Sequence, residues 1–451
     1  MCKTLFIARL ALWRLLVCFM ALPITAAAGE QIICLAATAD LHGNCAQISG
    51  AVSQQIRKYQ QLYPRRMIYV DSGDAAQGSG AVNRRRGSGV MTQLAQAGCT
   101  VWVPGNHDLE FGPTALARII REFPHTVLAA NLDMPELADK LQAWKIIEIS
   151  GIKIAFIGLT VNRITEHFPV DPARLRYLSE SASLLRAVQS VRAAGADMIV
   201  LIRHAGKYGG GMNLAELLKK FPEIDLVIGG HSHIADPGSK VGKSWFVQPP
   251  PYGKGIAEVR MIFDKSNQRL KMLESRIVEL PDTTENDLDA QRLAPSLKGK
   301  TADFSARKIR QYMKSDLALY FIEKTAPMAE LLDKEQPTVG DYYKAYPYFD
   351  AMVNVQVSGE ELIEILQEYV KYAHSRKGVL VSAGFRLDTS GSRLRTVGFE
   401  EIKAHYCLSL SAFAAAGAGG KLPHTRQILR DRIDVKSADQ APGILDIVLG
   451  R

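Results

Sequence analysis

The sequence predicts an α/β protein in two units, a larger one organised around strands and a smaller one behind it. Three observations carry this. Through residues 31–265, short apolar runs rich in β-branched residues end abruptly in polar clusters, and a helical pattern commonly follows. From about Pro281 to Thr301 a polar, Asp/Glu-rich stretch with Pro281 and Pro295 breaks that rhythm. Beyond it, a second compact α/β pattern opens at Thr338-Val339-Gly340-Asp341. At 451 residues the chain exceeds one ordinary core, which also favours two units.

The strand ends come in a fixed order. Ile32 to Ala39 runs into Asp40-Leu41-His42, and Met67 to Val70 runs into Asp71-Ser72-Gly73-Asp74. Val101 to Val103 leads to Gly105-Asn106-His107-Asp108, Met198 to Ile202 leads to His204, and Asp225 to Ile228 leads to Gly229-Gly230-His231-Ser232-His233. In open α/β sheets the loops beyond the carboxyl ends of strands form the binding crevice, so these clusters can converge despite their separation. Amphipathic patterns over Val52 to Tyr63, Thr114 to Glu122, Ser181 to Ala194 and Leu214 to Phe221 predict helices that cover the sheets. In the second unit, Ser358-Gly359-Glu360-Glu361 has the capping-box pattern before a helix over Leu362 to Ala373, with Gly378 as its stop.

Composition limits the function classes. Hydrophobic residues at 47% and charged residues at 22% are ordinary for a folded soluble chain and exclude disordered, collagenous and polytopic membrane classes. Residues 1–28 differ: Lys3, Arg9 and Arg14 flank an apolar stretch to about Leu22, and Ala26-Ala27-Ala28 offers a cleavage site. This is the pattern of a secretory signal peptide, and the interrupting arginines leave it shorter than the ~20 apolar residues of a spanning helix. The expected protein is periplasmic or secreted, with no stable membrane anchor after cleavage. Cleavage removes three basic residues and lowers the formal charge from +9 to +6, a mild basicity compatible with an anionic substrate. Cys34, Cys45, Cys99 and Cys407 would remain, with no CxxC pair, and no disulfide framework is expected. Arg84-Arg85-Arg86 is the densest charge run and reads first as a solvated loop, with substrate steering as the alternative. With no basic-aromatic platform, a nucleic-acid partner is not expected.

Five of the ten histidines lie in the strand-end clusters, beside Asp40, Asp74 and Asn106. Carboxylate, imidazole and amide oxygen together suit two divalent ions such as Mn, Zn, Fe, Co or Mg, and a shared carboxylate can bridge them. The ordered set from Asp40-Leu41-His42 through Gly73-Asp74, Gly105-Asn106-His107-Asp108 and His204 to Gly230-His231-Ser232-His233 resembles the calcineurin-like metallophosphoesterases, specifically their 5'-nucleotidase branch. The resemblance implies a four-layered α/β/β/α sandwich with a smaller α/β C-terminal substrate domain. It divides the chain into a signal peptide at 1–28, a catalytic domain at 29–275, a linker at 276–305 and a substrate domain at 306–451.

The resemblance also implies roles. Asp40, His42, Asp74 and His233 would hold one metal, and Asp74, Asn106, His204 and His231 the other, with Asp74 between them. A hydroxide bridging the ions would attack phosphorus in line. His107 would sit over the phosphoryl group, and a carboxylate three residues on would orient its ring; the family typically has aspartate there, whereas this chain has Glu110. Asp71 and Asp108 could ligate by chemistry, but the resemblance makes them structural. His125, His167, His374, His405 and His424 are read as satisfied surface or core groups.

In the second unit, Tyr348 and Phe413 fall where the family's two base-stacking aromatics lie. The asparagine of the first aromatic segment falls at Asp350, and the second segment becomes Gly417-Ala418-Gly419-Gly420-Lys421, without its carboxylate. Losing such groups relaxes or redirects specificity. The expected activity is a phosphoric monoester hydrolase, most simply a 5'-nucleotidase or nucleotide-sugar hydrolase acting on a small phosphate ester. The alternatives are another ester, cyclic nucleotide or sulfur ester, on the same fold, and a noncatalytic metal-dependent binding protein.

Overall fold

The computed structural model describes residues 29–78, 80–161, 171–264, 266–267, 269–283, 301–322, 331, 341–342, 349–377, 379–418, 420–434 and 440–448. The expected signal peptide at 1–28, Gly378, His167 and Tyr348 lie outside the described residues, as does most of the expected linker.

Two sheets stack face to face. The first contains β1 (Glu30–Thr38), β2 (Met67–Asp71), β3 (Val101–Trp102), β4 (Thr126–Leu128), β6 (Leu141–Gln142), β14 (Gly255–Asp264) and β15 (Leu270–Glu279), in the order β15-β14-β1-β2-β3-β4-β6. A short separate ladder joins β5 (Leu132–Asp133) to β9 (Arg176–Tyr177). The second large sheet contains β7 (Trp144–Ile149), β8 (Ile152–Leu159), β10 (Met198–Arg203), β11 (Leu226–Ile228), β12 (Asp236–Val241) and β13 (Ser244–Gln248), in the order β12-β13-β11-β10-β8-β7. Within each, the strands leading to the polar clusters pair in parallel, so their carboxyl ends share one edge. Antiparallel strands close the flanks: β14 and β15 on the first sheet, β7 and β12 on the second.

The parallel strands are buried on both faces, which is why they read as continuous apolar runs without alternation. One face of each sheet supplies the core between them, including Ile33, Leu35, Val70, Phe156, Val200, Ile202, Val259 and Phe263, all 0% exposed. Full burial of such side chains contributes about 1.5–3 kcal/mol each. Outside the first sheet pack the helices Ser53–Leu62, Val90–Gln96 and Pro113–Glu122. Outside the second pack Glu180–Ala193 and Leu214–Lys220. The result is the four-layered α/β/β/α arrangement. Gly112 ends its turn at φ +87 and hands the chain to Pro113, whose missing N–H costs nothing in a first helical turn.

Strand β15 continues to Glu279, inside the span expected as linker, and a helix over Thr301–Met313 begins before residue 306. The smaller unit has a four-stranded sheet, β17-β21-β16-β18, from β16 (Leu317–Ile322), β17 (Met352–Ser358), β18 (Val379–Ala383) and β21 (His405–Ser411). A hairpin of β19 (Phe385–Ser390) and β20 (Arg393–Phe399) accompanies it. The helix Gly359–Ser375 has the expected capping box: Glu361 N–H donates to Ser358 Oγ, and Ser358 N–H donates to Glu361 Oε2. No helix among the described residues is long and apolar enough to cross a membrane, and no disulfide forms among them.

Candidate metal centre

Three of the five loops leave their strands through strained backbone. Asp40, His42, Asp74, His231 and His233 all have positive φ, between 47 and 68. Left-handed backbone costs a residue with a Cβ about 1 kcal/mol or more, and such outliers persist where the surrounding structure over-determines them. Here the surroundings are cross-loop hydrogen bonds. Asp40 N–H donates to Gly73 O at 2.8 Å, His42 N–H to Asp74 O at 2.9 Å, and Gly43 N–H to Ala75 O at 2.8 Å, so the loops after β1 and β2 run as a pair. The loops approach so closely that a Cβ on Gly105 would lie 2.6 Å from Asp74 N and 2.7 Å from His204 Nε2.

Asp108 ties the next loop in. Fully buried, it accepts four backbone N–H groups: Gly105 at 2.7 Å, Asp74 at 2.9 Å, Ala76 at 2.8 Å and Ala75 at 3.1 Å. Asp71 is likewise buried and accepts Thr38 Oγ1 at 2.6 Å and Gly73 N–H at 3.0 Å. Both carboxylates are occupied in holding loops. Burial pushes Asp71 up to about 8 and Asp108 up to about 6. The loop after β10 is anchored differently: buried Arg203 pairs with Glu180 at 2.6 Å and donates to Met212 O at 2.6 Å.

Two groups of side chains offer ligand atoms within 4.8 Å of one another: Asp40 with His42 and His233, and Asp74 with His204 and His231. His204 donates from Nδ1 to Ser72 O at 2.6 Å, which turns Nε2 inward. That buried Nε2 has no hydrogen-bond partner, and the nearest Asp74 oxygen lies 3.0 Å away, off line for a hydrogen bond. His42 Nδ1 donates to Gln77 Oε1 at 3.2 Å, so its Nε2 faces His233 Nε2 at 3.0 Å with a lone pair. His231 Nδ1 faces Asn106 Oδ1 at 2.9 Å. Asp40 fixes the loop carrying His231 by accepting its N–H at 2.9 Å. Pairs of acceptor-type atoms this close require a shared proton or a shared cation, and a divalent ion in each group satisfies them together. The donor set therefore fits two divalent metals.

Electrostatics divides the cluster. Burial raises Asp40 to about 7 against the pull of His204. Burial would raise Asp74 too, but the charges of His204 and then His107 hold it well below the carboxylate range. Burial works against the charged form of His204, yet Asp74 and then Asp40 lift it to about 10. Burial lowers His42 to about 4 and also lowers His233. His107 reaches about 9, because Asp74 and Glu110 outweigh its burial.

His107 sits beside these groups, its N–H on Asp74 Oδ1 at 2.7 Å and its ring 5.3 Å from that of His42. Its Nδ1 meets Glu110 Oε2 at 2.8 Å, so the longer glutamate does reach the ring. The structure thus gathers Asp40, His42, Asp74, Asn106, His107, Glu110, His204, His231 and His233. Phe413 is half-buried in the short helix Ala412–Ala415 after β21. Asp350 is buried, accepts a hydrogen bond from Tyr320 Oη, and is raised to about 7 by burial and then by the Glu110 charge.

Sequence reasoning missed several participants. Tyr252, 41% exposed, places its ring 5.4 Å from those of both His42 and His233, and its N–H donates to Asp40 O. Gln77 and the Ser72 carbonyl set the His42 and His204 tautomers. Nothing in the sequence singles these out, because their roles depend on loops that meet only in the fold. The Arg84-Arg85-Arg86 reading is corrected at one position: Arg84 and Arg85 are exposed, but Arg86 donates to Ala441 O at 3.0 Å and lies 5.0 Å over the Phe349 ring.

Stacked sheets with this edge chemistry define a calcineurin-like phosphoesterase domain, and the family model of that description matches residues 35–235. Several of the relatives and solved structures similar to this chain are 5'-nucleotidases. An NAD 5'-nucleotidase of Haemophilus influenzae is 27% identical over 188 residues, 41% of this chain and 30% of that protein. The endonuclease YhcR of Bacillus subtilis is 22% identical over 417 residues, 81% of this chain and 34% of that protein. This chain thus spans between about a third and about half of the length of the curated relatives it matches. Among solved structures, a putative 5'-nucleotidase from Staphylococcus aureus superposes with a TM-score of 0.67 at 18% identity, covering 89% of this chain and 96% of that one. A 5'-nucleotidase precursor from Thermus thermophilus gives 0.61 at 19% identity over 93% and 96%. These likenesses show a shared fold that includes the C-terminal unit.

Proposed function

We propose that this protein is an exported metal-dependent phosphoric monoester hydrolase of the 5'-nucleotidase type. The observation that carries the reading is the convergence of two groups of ligand atoms, Asp40 with His42 and His233, and Asp74 with the buried His204 and with His231. Asp40, His42, Asp74 and His233 would hold one ion, and Asp74, Asn106, His204 and His231 the other. Two divalent ions there supply an activated water and offset charge on the phosphoryl oxygens. The chain's own groups do the rest. Asp74, held ionised, would lie between the two ions, Asp40 braces the loop of His231, and Gln77 and Ser72 fix the two tautomers. His107, held protonated by Asp74 and Glu110, is placed to give a proton to the leaving oxygen or steady its charge. The apolar N-terminal segment supports export to the periplasm or outside. Phe413, with Tyr348, would stack on a flat group of the substrate.

A second reading has specific support. A 2',3'-cyclic-nucleotide 2'-phosphodiesterase/3'-nucleotidase of Haemophilus influenzae is 27% identical over 204 residues, and the endonuclease matches most of the chain. Both names denote phosphodiester cleavage, so a diester is the alternative substrate.

The test is phosphate release with Mn from nucleoside monophosphates, a nucleotide sugar and an aryl phosphate, beside a bis-aryl phosphate for the diester. Wild-type activity that falls about 10²–10³-fold or more in Asp74→Asn and His107→Ala is expected. Turnover of the diester alone would move the assignment to the second reading. A protein that binds two Mn and cleaves none of these would sink both.

A further inference from the structure

Glu110 holds two partners at once. Its Oε2 meets His107 Nδ1 at 2.8 Å, and its Oε1 accepts the backbone N–H of Phe349 at 2.6 Å. Phe349 belongs to the smaller unit. Its carbonyl accepts Ile444 N–H at 3.1 Å, and three residues on, Met352 N–H donates to Pro442 O at 3.0 Å as β17 enters the four-stranded sheet. The same contact is sealed from the other side of the chain. The Phe349 ring is 6% exposed and stands edge-on to Phe111 at 5.1 Å, while Arg86 lies over it and bonds Ala441 O. The carboxylate that orients the His107 ring is therefore also the point where the second unit's backbone docks.

We propose that Glu110 is a positioning residue that ties the His107 imidazole to the C-terminal unit, so that docking of that unit sets the ring's orientation. The proposal rests on the hydrolase reading above. Chain length is the physical reason. Aspartate is one methylene, about 1.5 Å, shorter. It can face His107 three residues back along the turn or reach toward Phe349, but it cannot span both. The contact needs no side-chain chemistry from Phe349 beyond packing, because the donor is a peptide N–H, and a charge-assisted bond of this length is the stronger kind.

The experiment uses the full chain with Mn. Glu110→Asp, Glu110→Gln and Arg86→Met are compared with wild type in aryl phosphate turnover and in hydrogen exchange at the Phe349 amide. Glu110→Asp should retain two bound Mn, speed exchange at Phe349, and lower kcat about 10–100-fold with KM within about twofold. Glu110→Gln keeps an oxygen for Phe349, so exchange should stay slow while kcat falls. Arg86→Met loosens the same docking without touching the dyad and should speed Phe349 exchange with a smaller fall in kcat. Exchange at Phe349 unchanged in Glu110→Asp, or speeded exchange with wild-type kcat, overturns the proposal. A wild type that releases no phosphate instead defeats the hydrolase reading; the Phe349 exchange rates of Glu110→Asp then decide alone whether the tether exists.

Discussion

The two candidate cradles differ in depth and in protonation. The Asp40, His42 and His233 group opens toward the rim: Asp40 is buried, but the His233 side chain is 35% exposed, and burial holds both imidazoles low, so they are neutral at pH 7. Asp74, His204 and His231 form a deep one, with Asp74 1% and His204 0% exposed and His204 held protonated up to about 10. An ion entering the rim meets two neutral imidazoles beside an Asp40 carboxyl raised to about 7. An ion entering the deep cradle must displace a proton from a buried ion pair, since only neutral imidazole ligates. Equal ligand chemistry at the level of residue types thus gives one site open near neutrality and one latched by its own charges.

The largest expected effect separates the cradles by stability. His204→Ala leaves the Asp74 carboxylate buried without its partner and should cost the metal-free protein about 3–5 kcal/mol in denaturant unfolding. His233→Ala, at the solvent edge, should change stability by no more than about 0.5 kcal/mol while weakening metal binding about 10–100-fold by titration. Similar unfolding costs in the two variants would erase the distinction. A further expected effect concerns pH. His107 and His204 have folded values raised to about 9 and about 10, above an unfolded value near 6.5. Their stabilisation is complete below pH ~6.5 and is lost as pH rises toward 9–10, at about 1.4 kcal/mol per histidine and pH unit. Asp40 and Asp71, raised to about 7 and about 8, act in the same direction below those values. Thermal unfolding of the metal-free protein should therefore move to lower temperature between pH 6.5 and 9. Saturating Mn should oppose that trend, because binding competes with protons. A metal-free protein that gains stability over this window would contradict the latched state.

Sequence pattern disclosed the catalytic unit because its strands are buried on both faces and end in compositionally abrupt loops. Met198–Arg203 and Ser53–Leu62 begin or end within a residue of the expected limits for that reason. Strands β7, β8 and β12 to β15 went unpredicted, since none leads into a cluster that draws notice. The convergence of Asp40, Asp74 and His231 followed from parallel strand order, but which nitrogen of His204 points inward depends on the Ser72 carbonyl, 132 residues away in sequence. The docking of Phe349 on Glu110 was illegible for a similar reason: a backbone N–H has no sequence signature, and 239 residues separate the partners. Arg86 showed the converse, a charge run whose third member left solvent because an aromatic ring and a carbonyl of the other unit awaited it.

The left-handed backbone at Asp40, His42, Asp74, His231 and His233 restricts how such a site can evolve. Asparagine, aspartate and histidine are the side-chain-bearing residues that enter this conformation most readily. They are also serviceable ligands, so the bend and the ion select the same small alphabet. A drift toward glutamate or cysteine at these positions would face a conformational penalty before any question of affinity arose, whereas exchange among Asp, Asn and His would be conformationally neutral. Metal preference in such a lineage can shift by swapping members within that alphabet while the loop geometry stays intact.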